Sequence, residues 1–133
     1  MQGATSACAA VAGILDQQLI DIEDYEWTPY KHLWDDFEGL KYVYHKKSSL
    51  TPQMINLPNV DMMLSDSYHH YDHVIKELKI HAQTVNKYII FHDTSLPDDR
   101  VYRAVTDFCM TNSAWQVIRR DENSVGFTTI KRI

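Results

Sequence analysis

The chain is poor in cysteine and contains neither an extended run of basic residues nor a long apolar stretch. Its two cysteines, Cys8 and Cys109, lie far apart among apolar residues, which favours buried free thiols over a disulfide and fits a reducing cytosol. The longest apolar run, residues 7–15, is too short to span a bilayer and lacks the charged segment of a secretion signal. We therefore expect a cytoplasmic protein without a membrane segment.

The charge balance argues against nucleic acid as a partner. Lysine and arginine together number 13 and acidic residues 18, which gives a formal net charge of −5. Recognition of a phosphate backbone needs a basic face, and this composition does not favour one. A chain of 133 residues is large enough to bury roughly two-thirds of its unfolded surface. We therefore expect residues 1–133 to form a single domain.

The segment from Val60 to Thr94 predicts a strand, an amphipathic helix and a second strand. Parallel strands joined by a helix bring their carboxyl ends to the same edge of a sheet, and open α/β sheets bind ligands at that edge. Asp66 follows the first strand, and His92 and Asp93 end the second. Because carboxylates and imidazoles bind metals and transfer protons, these side chains form a candidate site.

The rest of the chain alternates predicted helices and strands. Helices are expected over Ala4–Leu15 and Thr28–Phe37 and after Pro52 and Pro97, and strands over Gln18–Ile22 and Leu40–His45. Two final strands, Trp115–Arg120 and Val125–Arg132, are separated by the turn residues D-E-N-S, which predicts an antiparallel hairpin. The predicted order is α-β-α-β-α-β-α-β-α-β-β.

Several local motifs resemble those of a known family. D-S-Y-H-H-Y, residues 66–71, matches a D-x-x-H-x-Y motif, with Asp66, His69 and Tyr71 at the defined positions. Y-I-I-F-H-D-T at residues 88–94 and G-F-T at residues 126–128 are similar to later segments of the same family. The chain thus resembles class I S-adenosylmethionine-dependent methyltransferases, in the cephalosporin-hydroxylase-like and sugar or macrolide O-methyltransferase branch. The resemblance implies a Rossmann-like α/β sheet, mostly parallel with a C-terminal antiparallel hairpin.

The resemblance also implies a binding site for S-adenosylmethionine. Family members begin with a strand and a Gly-rich turn that approaches this cofactor, whereas residues 1–6 are similar only to the tail of that turn. We therefore expect an N-terminally truncated sheet that lacks the first strand. Gly3 and Ser6 would contact the cofactor, Asp21 would accept hydrogen bonds from its ribose, and Asp66 would contribute a further contact.

For the chemistry, the resemblance implies a divalent metal held by Asp66, His92 and Asp93. His92 replaces a preferred carboxylate, which weakens Mg²⁺ binding and favours Mn²⁺ or Zn²⁺. His69 is the candidate general base beside Asp66, since imidazole accepts protons near neutral pH. Simpler roles stay open: Asp66 as a helix N-cap, His69 as a hydrogen-bonded residue of the first helical turn, or His69 and His73 as a pair on one helical face.

The predicted function is metal-assisted O-methylation of a small hydroxylated molecule such as a sugar, which is the expected partner. The alternative is a catalytically silent methyltransferase-like domain, or a fragment of a longer enzyme, that serves in association or ligand binding. A sheet without its first strand leaves backbone groups unpaired, which favours a homo-oligomer.

Overall fold

The computed structural model describes residues 13–14, 16–21, 38–51 and 58–133. The chain divides into two compact units, residues 1–49 and 50–133. The predicted helices that precede residue 60 lie almost entirely outside the described residues, as do Gly3, Ser6 and Cys8. Gly13 and Ile14, near the end of the first predicted helix, are described and are not helical. The single-domain organisation stays a prediction.

The first unit contains two parallel strands, β1 (Asp16–Asp21) and β2 (Lys41–Lys46). β1 confirms the strand predicted over Gln18–Ile22, with its start two residues earlier than expected. Asp21 is the last residue of β1 and lies opposite Lys46 in the parallel register. The carboxylate expected to bind ribose therefore belongs to a residue at a strand end, and only its backbone is described.

The second unit contains four strands and two helices. These are β3 (Val60–Ser65), α1 (Tyr71–His81), β4 (Val85–His92), α2 (Arg100–Thr111), β5 (Trp115–Asp121) and β6 (Phe127–Arg132). The strand order is β3-β4-β6-β5. The predicted strand-helix-strand unit is confirmed, because β3 and β4 are parallel neighbours joined through α1.

The mostly parallel sheet is not confirmed. In the four-stranded sheet only the β3–β4 pair is parallel, whereas β4–β6 and β5–β6 are antiparallel. The reason is that β6 turns back beside β5 and pairs with β4 on its other edge, so one hairpin introduces two antiparallel interfaces. The C-terminal antiparallel hairpin itself is confirmed.

The core lies between the helices and the sheet. The apolar residues of α2 recur at helical spacing, and Val101, Ala104, Val105 and Phe108 are buried on the face that packs into the core. Fully buried positions of the sheet and helices include Leu78, Ile89, Phe91 and Ile130. These contacts fix the helices on the strands and leave the strand ends for polar groups.

Cys109 is a free thiol on α2 and is partly buried, and this burial raises the pKa of its thiol. Among the described residues, no helix has the length and apolar character needed to cross a membrane.

Candidate functional site

Four ionisable side chains meet where β3 and β4 end. Asp66 follows the last residue of β3, and Asp93 follows His92, the last residue of β4. Ser65 and Phe91 are paired in the parallel register, so the two strand ends lie side by side. The predicted convergence of Asp66, His92 and Asp93 is present, and His69 from the loop before α1 joins them. We call Asp66, His69, His92 and Asp93 the rim cluster.

Both imidazoles of the rim cluster contact both carboxylates. His69 Nε2 lies 2.8 Å from Asp93 Oδ2 and 3.6 Å from Asp66 Oδ1. His92 Nδ1 lies 3.1 Å from Asp66 Oδ1 and 3.0 Å from Asp93 Oδ2. The Asp93 side chain is 12% exposed and that of Asp66 is 51% exposed. The cluster therefore has a sheltered side at Asp93 and a side open to solvent at Asp66.

His69 Nε2 is a buried atom of the cluster without a hydrogen-bond partner among the described residues. It is buried and, although it lies close to Asp93 Oδ2, it makes no hydrogen bond with correct geometry to a described residue. The ring nitrogen and the carboxylate oxygen are therefore close together without the alignment of a hydrogen bond. One ligand atom from each of Asp66, His69 and Asp93 lies within 4.8 Å of the other two, the arrangement of a three-ligand metal site.

The backbone at Asp93 is in the left-handed region, with φ at 57°. Aspartate tolerates this conformation better than most residues, and such conformations concentrate at functional sites. The hairpin turn supports the loop here, since the Ser95 amide donates a hydrogen bond to the Val125 carbonyl at 2.9 Å. Gly126, at φ 80°, packs so tightly that a Cβ added there would lie 2.8 Å from the Ser95 nitrogen. The β5–β6 turn therefore fixes the position of Asp93.

A buried carboxylate holds the loop that carries Asp66. Glu77 on α1 is 3% exposed, and its Oε2 accepts hydrogen bonds from Ser65 Oγ at 3.0 Å and Ser67 Oγ at 2.7 Å. His73 Nε2 lies 3.5 Å from the other oxygen of Glu77. Because Asp66 stands between the two serines, Glu77 acts as a positioning residue for it. Sequence reasoning did not assign this role, although an acidic residue beside the apolar stripe of a helix was an available signal.

Three simpler roles left open by the sequence do not fit the structure. α1 begins at Tyr71 after His70 as N-cap, and no side chain caps the helix, so Asp66 is not its cap. His69 precedes the helix and therefore lies neither in its first turn nor on one face with His73. Instead, His69 contacts Asp93 and His73 contacts Glu77.

A cavity of about 450 Å³ opens beside the rim cluster. It is lined by His69 and by Tyr68, His70, Pro97 and Arg100, among others. We call it the inner cavity. It gives a small molecule access to His69.

The comparisons with known proteins concern the fold. No protein-family model and no curated protein matches the chain. Among solved structures, a protein assigned as an rRNA methylase from Clostridium thermocellum aligns with TM-score 0.70 at 14% identity, covering 98% of this chain and 83% of the other. A protein assigned as a methylase from Haemophilus influenzae aligns with TM-score 0.62 at 9% identity, covering 98% and 81%.

A third solved structure is described by the conversion of a disulfide bond into a thioacetal group during echinomycin biosynthesis. It aligns with TM-score 0.57 at 10% identity, covering 96% of this chain and 81% of the other. These likenesses show that the chain has a methyltransferase-like α/β fold.

Proposed function

We propose that this chain transfers a methyl group from S-adenosylmethionine to a hydroxyl oxygen of a small molecule bound at the rim cluster. The fold supports the methyl donor, since the similar structures include two assigned as methylases. The observation that carries the proposal is the buried His69 Nε2, which makes no hydrogen bond to a described residue and lies beside two carboxylates at the carboxyl ends of parallel strands. Such a site is suited to binding and ionising a hydroxyl group.

S-Adenosylmethionine supplies an electrophilic methyl group when bound, so the protein forms no covalent intermediate. The contribution of the protein is to orient the acceptor oxygen and to favour its ionised form. Asp93 is held by the hairpin turn and Asp66 by the serines that Glu77 binds. This support from outside the cluster limits the movement of both carboxylates.

For the metal, the residues present fit a divalent ion held by Asp66, His69 and Asp93. This set differs from the expected set of Asp66, His92 and Asp93, because the orphaned nitrogen belongs to His69 whereas His92 Nδ1 is at hydrogen-bonding distance from Asp66. A mixed nitrogen and oxygen donor set favours Mn²⁺ or Zn²⁺ over Mg²⁺. A bound ion would lower the pKa of a substrate hydroxyl.

His69 has two proposed roles, and they exclude each other because both use the lone pair of Nε2. With a metal on Nε2, His69 is a ligand and His92 orients Asp66. Without a metal, His69 Nε2 is free to accept the hydroxyl proton as general base. A methyl transfer rate that depends on Mn²⁺ supports the ligand role, whereas a rate that is insensitive to chelation supports the general base.

Titration calorimetry of the full chain with S-adenosylmethionine tests the proposed function. We expect binding to the unmutated protein and about tenfold weaker binding to Asp66→Asn. Asp61→Asn is the matched control, since Asp61 lies near the other end of the same strand and is exposed. Asp21→Ala should weaken binding roughly ten- to a hundredfold if its carboxylate holds the ribose.

Absence of binding by the unmutated protein at saturating Mn²⁺ would overturn the proposal. A catalytically silent methyltransferase-like domain would then be the better description.

A further inference from the structure

A second cavity adjoins the inner cavity at the start of the two helices. It has a volume of about 630 Å³ and shares Tyr68, His70 and Arg100 with the inner cavity. We call it the outer cavity. Because the two cavities share three lining residues, they are adjacent, and we treat them together as one groove beside His69. Both volumes lie in the range of about 300–1,000 Å³ typical of small-molecule sites.

The outer cavity is lined by an excess of positive charge, although the chain as a whole is acidic. Three cations, Lys76, Arg100 and Arg103, face it together with one carboxylate, that of Asp72. Arg100 forms an ion pair with Asp98. Neither Lys76 nor Arg103 forms an ion pair with an acidic side chain in the described part of the chain. Two cationic groups are therefore available to a ligand.

Aromatic rings fix the walls of this groove. Tyr68 is 63% exposed, and its ring stacks on that of His70 with centroids 4.2 Å apart and an interplanar angle of 16°. The Tyr71 hydroxyl donates a hydrogen bond to Asp107 at 2.8 Å, and this bond raises the pKa of Tyr71, which stays neutral. The Arg103 guanidinium lies 5.8 Å from the centre of the Tyr71 ring. An exposed, oriented ring beside free cations is typical of sites for polar molecules with a flat or sugar face.

We infer that the acceptor substrate is a small hydroxylated molecule bearing a phosphate or carboxylate group, which Lys76 and Arg103 bind in the outer cavity. The same molecule then extends through the inner cavity and presents its hydroxyl group to His69. The placement of the hydroxyl group at His69 rests on the proposed methyl transfer. Binding of the anionic group in the outer cavity does not depend on that proposal. A nucleic acid is disfavoured, since the net charge is −5 and, of the three cations that line the outer cavity, Arg100 is already paired with Asp98.

Equilibrium binding in the absence of S-adenosylmethionine tests this inference independently of the proposed function. The probes are glucose 6-phosphate, glucuronate and glucose. Binding of each probe is monitored through the amide chemical shifts of the protein in nuclear magnetic resonance spectra. We expect at least one of the two anions to bind about tenfold more tightly than glucose and to shift amides of residues 68–76 and 100–103. The affinity of the anion should fall as sodium chloride is added. The stronger of the two anions identifies the group that the groove prefers.

Matched variants distinguish the contribution of Lys76 and Arg103 from the effect of removing any two positive charges. Lys76→Met combined with Arg103→Gln should weaken binding of the anion about tenfold or more and leave glucose binding unchanged. The control combines Lys79→Met, one turn along the same helix and exposed, with Arg119→Gln on β5, and should leave both affinities unchanged. Thermal unfolding of each variant verifies that it is folded.

Equal affinities for glucose and both anions, or an equal loss in the control, would overturn the inference. Tight binding of a single-stranded RNA oligonucleotide without binding of either sugar anion would overturn it in favour of nucleic acid. If the anion binds but S-adenosylmethionine does not, the anion site in the outer cavity stands, whereas the acceptor role of the ligand and the proposed function fail.

Discussion

The two ends of the four-stranded sheet satisfy their polar groups differently. We call the end that carries the rim cluster the site end, and the opposite end the closed end. Five buried side-chain atoms of the described residues make no hydrogen bond, and all belong to residues at the site end: His69 Nε2, Thr94 Oγ1, Ser95 Oγ, Arg120 Nε and Thr128 Oγ1. Buried polar atoms without partners are rare in folded proteins and require an explanation.

At the closed end, backbone carbonyl groups accept hydrogen bonds from a side chain and from a backbone amide. Arg132 Nη1 donates a hydrogen bond to the Val85 carbonyl at 2.8 Å, and the Ile133 amide donates one to the Ala114 carbonyl at 2.9 Å. Trp115 is 4% exposed and belongs to the core. The difference indicates that the closed end provides stability, whereas the site end retains polar groups that a ligand can satisfy.

The largest effect is expected at the closed end. Trp115→Ala removes a large buried side chain and should lower the free energy of unfolding by about 3–5 kcal/mol, as measured by urea denaturation. Affinity for Mn²⁺ should not change, because the substitution lies at the opposite end of the strands from the rim cluster. A parallel loss of Mn²⁺ affinity in the folded variant would show that the two ends are not separate.

Asp93→Asn should have the opposite pattern. The loss of a carboxylate ligand should weaken Mn²⁺ binding about a hundredfold, equivalent to about 2.7 kcal/mol, and abolish thermal stabilisation by the ion. Stability without metal should change by less than about 1 kcal/mol, since asparagine tolerates positive φ and relieves the repulsion between Asp66 and Asp93. Unchanged stabilisation by Mn²⁺ would place the ion elsewhere.

Glu77→Gln should weaken Mn²⁺ binding about tenfold without removing a proposed ligand, because groups that orient ligands contribute to metal affinity. Ser67→Ala removes one of the two hydroxyl donors and should give a smaller change in the same direction. Calorimetric titration with Mn²⁺ measures both. Wild-type affinity in Glu77→Gln would mean that Glu77 serves only the stability of α1.

An effect of similar size, but on stability alone, is expected for Arg132→Gln. The variant loses the hydrogen bond to the Val85 carbonyl and the cation contact over the Trp115 ring, so the free energy of unfolding should fall by about 1–2 kcal/mol. Mn²⁺ affinity should match that of the unmutated protein. A change in metal affinity without a change in stability would reverse the roles assigned to the two ends.

The sequence was sufficient to predict the part of the site that depends on chain direction. Parallel strands joined by a helix have their carboxyl ends at one edge, so the proximity of Asp66 and Asp93 followed from two apolar runs and one amphipathic helix. The hairpin followed from its turn residues. Local patterns were enough for both.

The sequence did not predict features that depend on tertiary contacts. The strand order that places β6 beside β4 has no local signal, so the share of parallel pairs was overestimated. The proximity of His69 to Asp93 was not predicted, because it depends on where α1 begins. The bonds from Ser65 and Ser67 to Glu77 cross from a strand end to a helix and are likewise invisible in spacing.

The central claim is that the site end binds a ligand through the rim cluster, and paramagnetic broadening by Mn²⁺ tests it most directly. The effect on amide signals falls steeply with distance from the ion, and β4 alone separates His92 from Val85 by about 23 Å. We predict that substoichiometric Mn²⁺ removes the amide signals of residues 65–69 and 91–94 and leaves those of Val85 and Trp115 intact. Broadening centred on the closed end, or no selective broadening at all, would contradict the account.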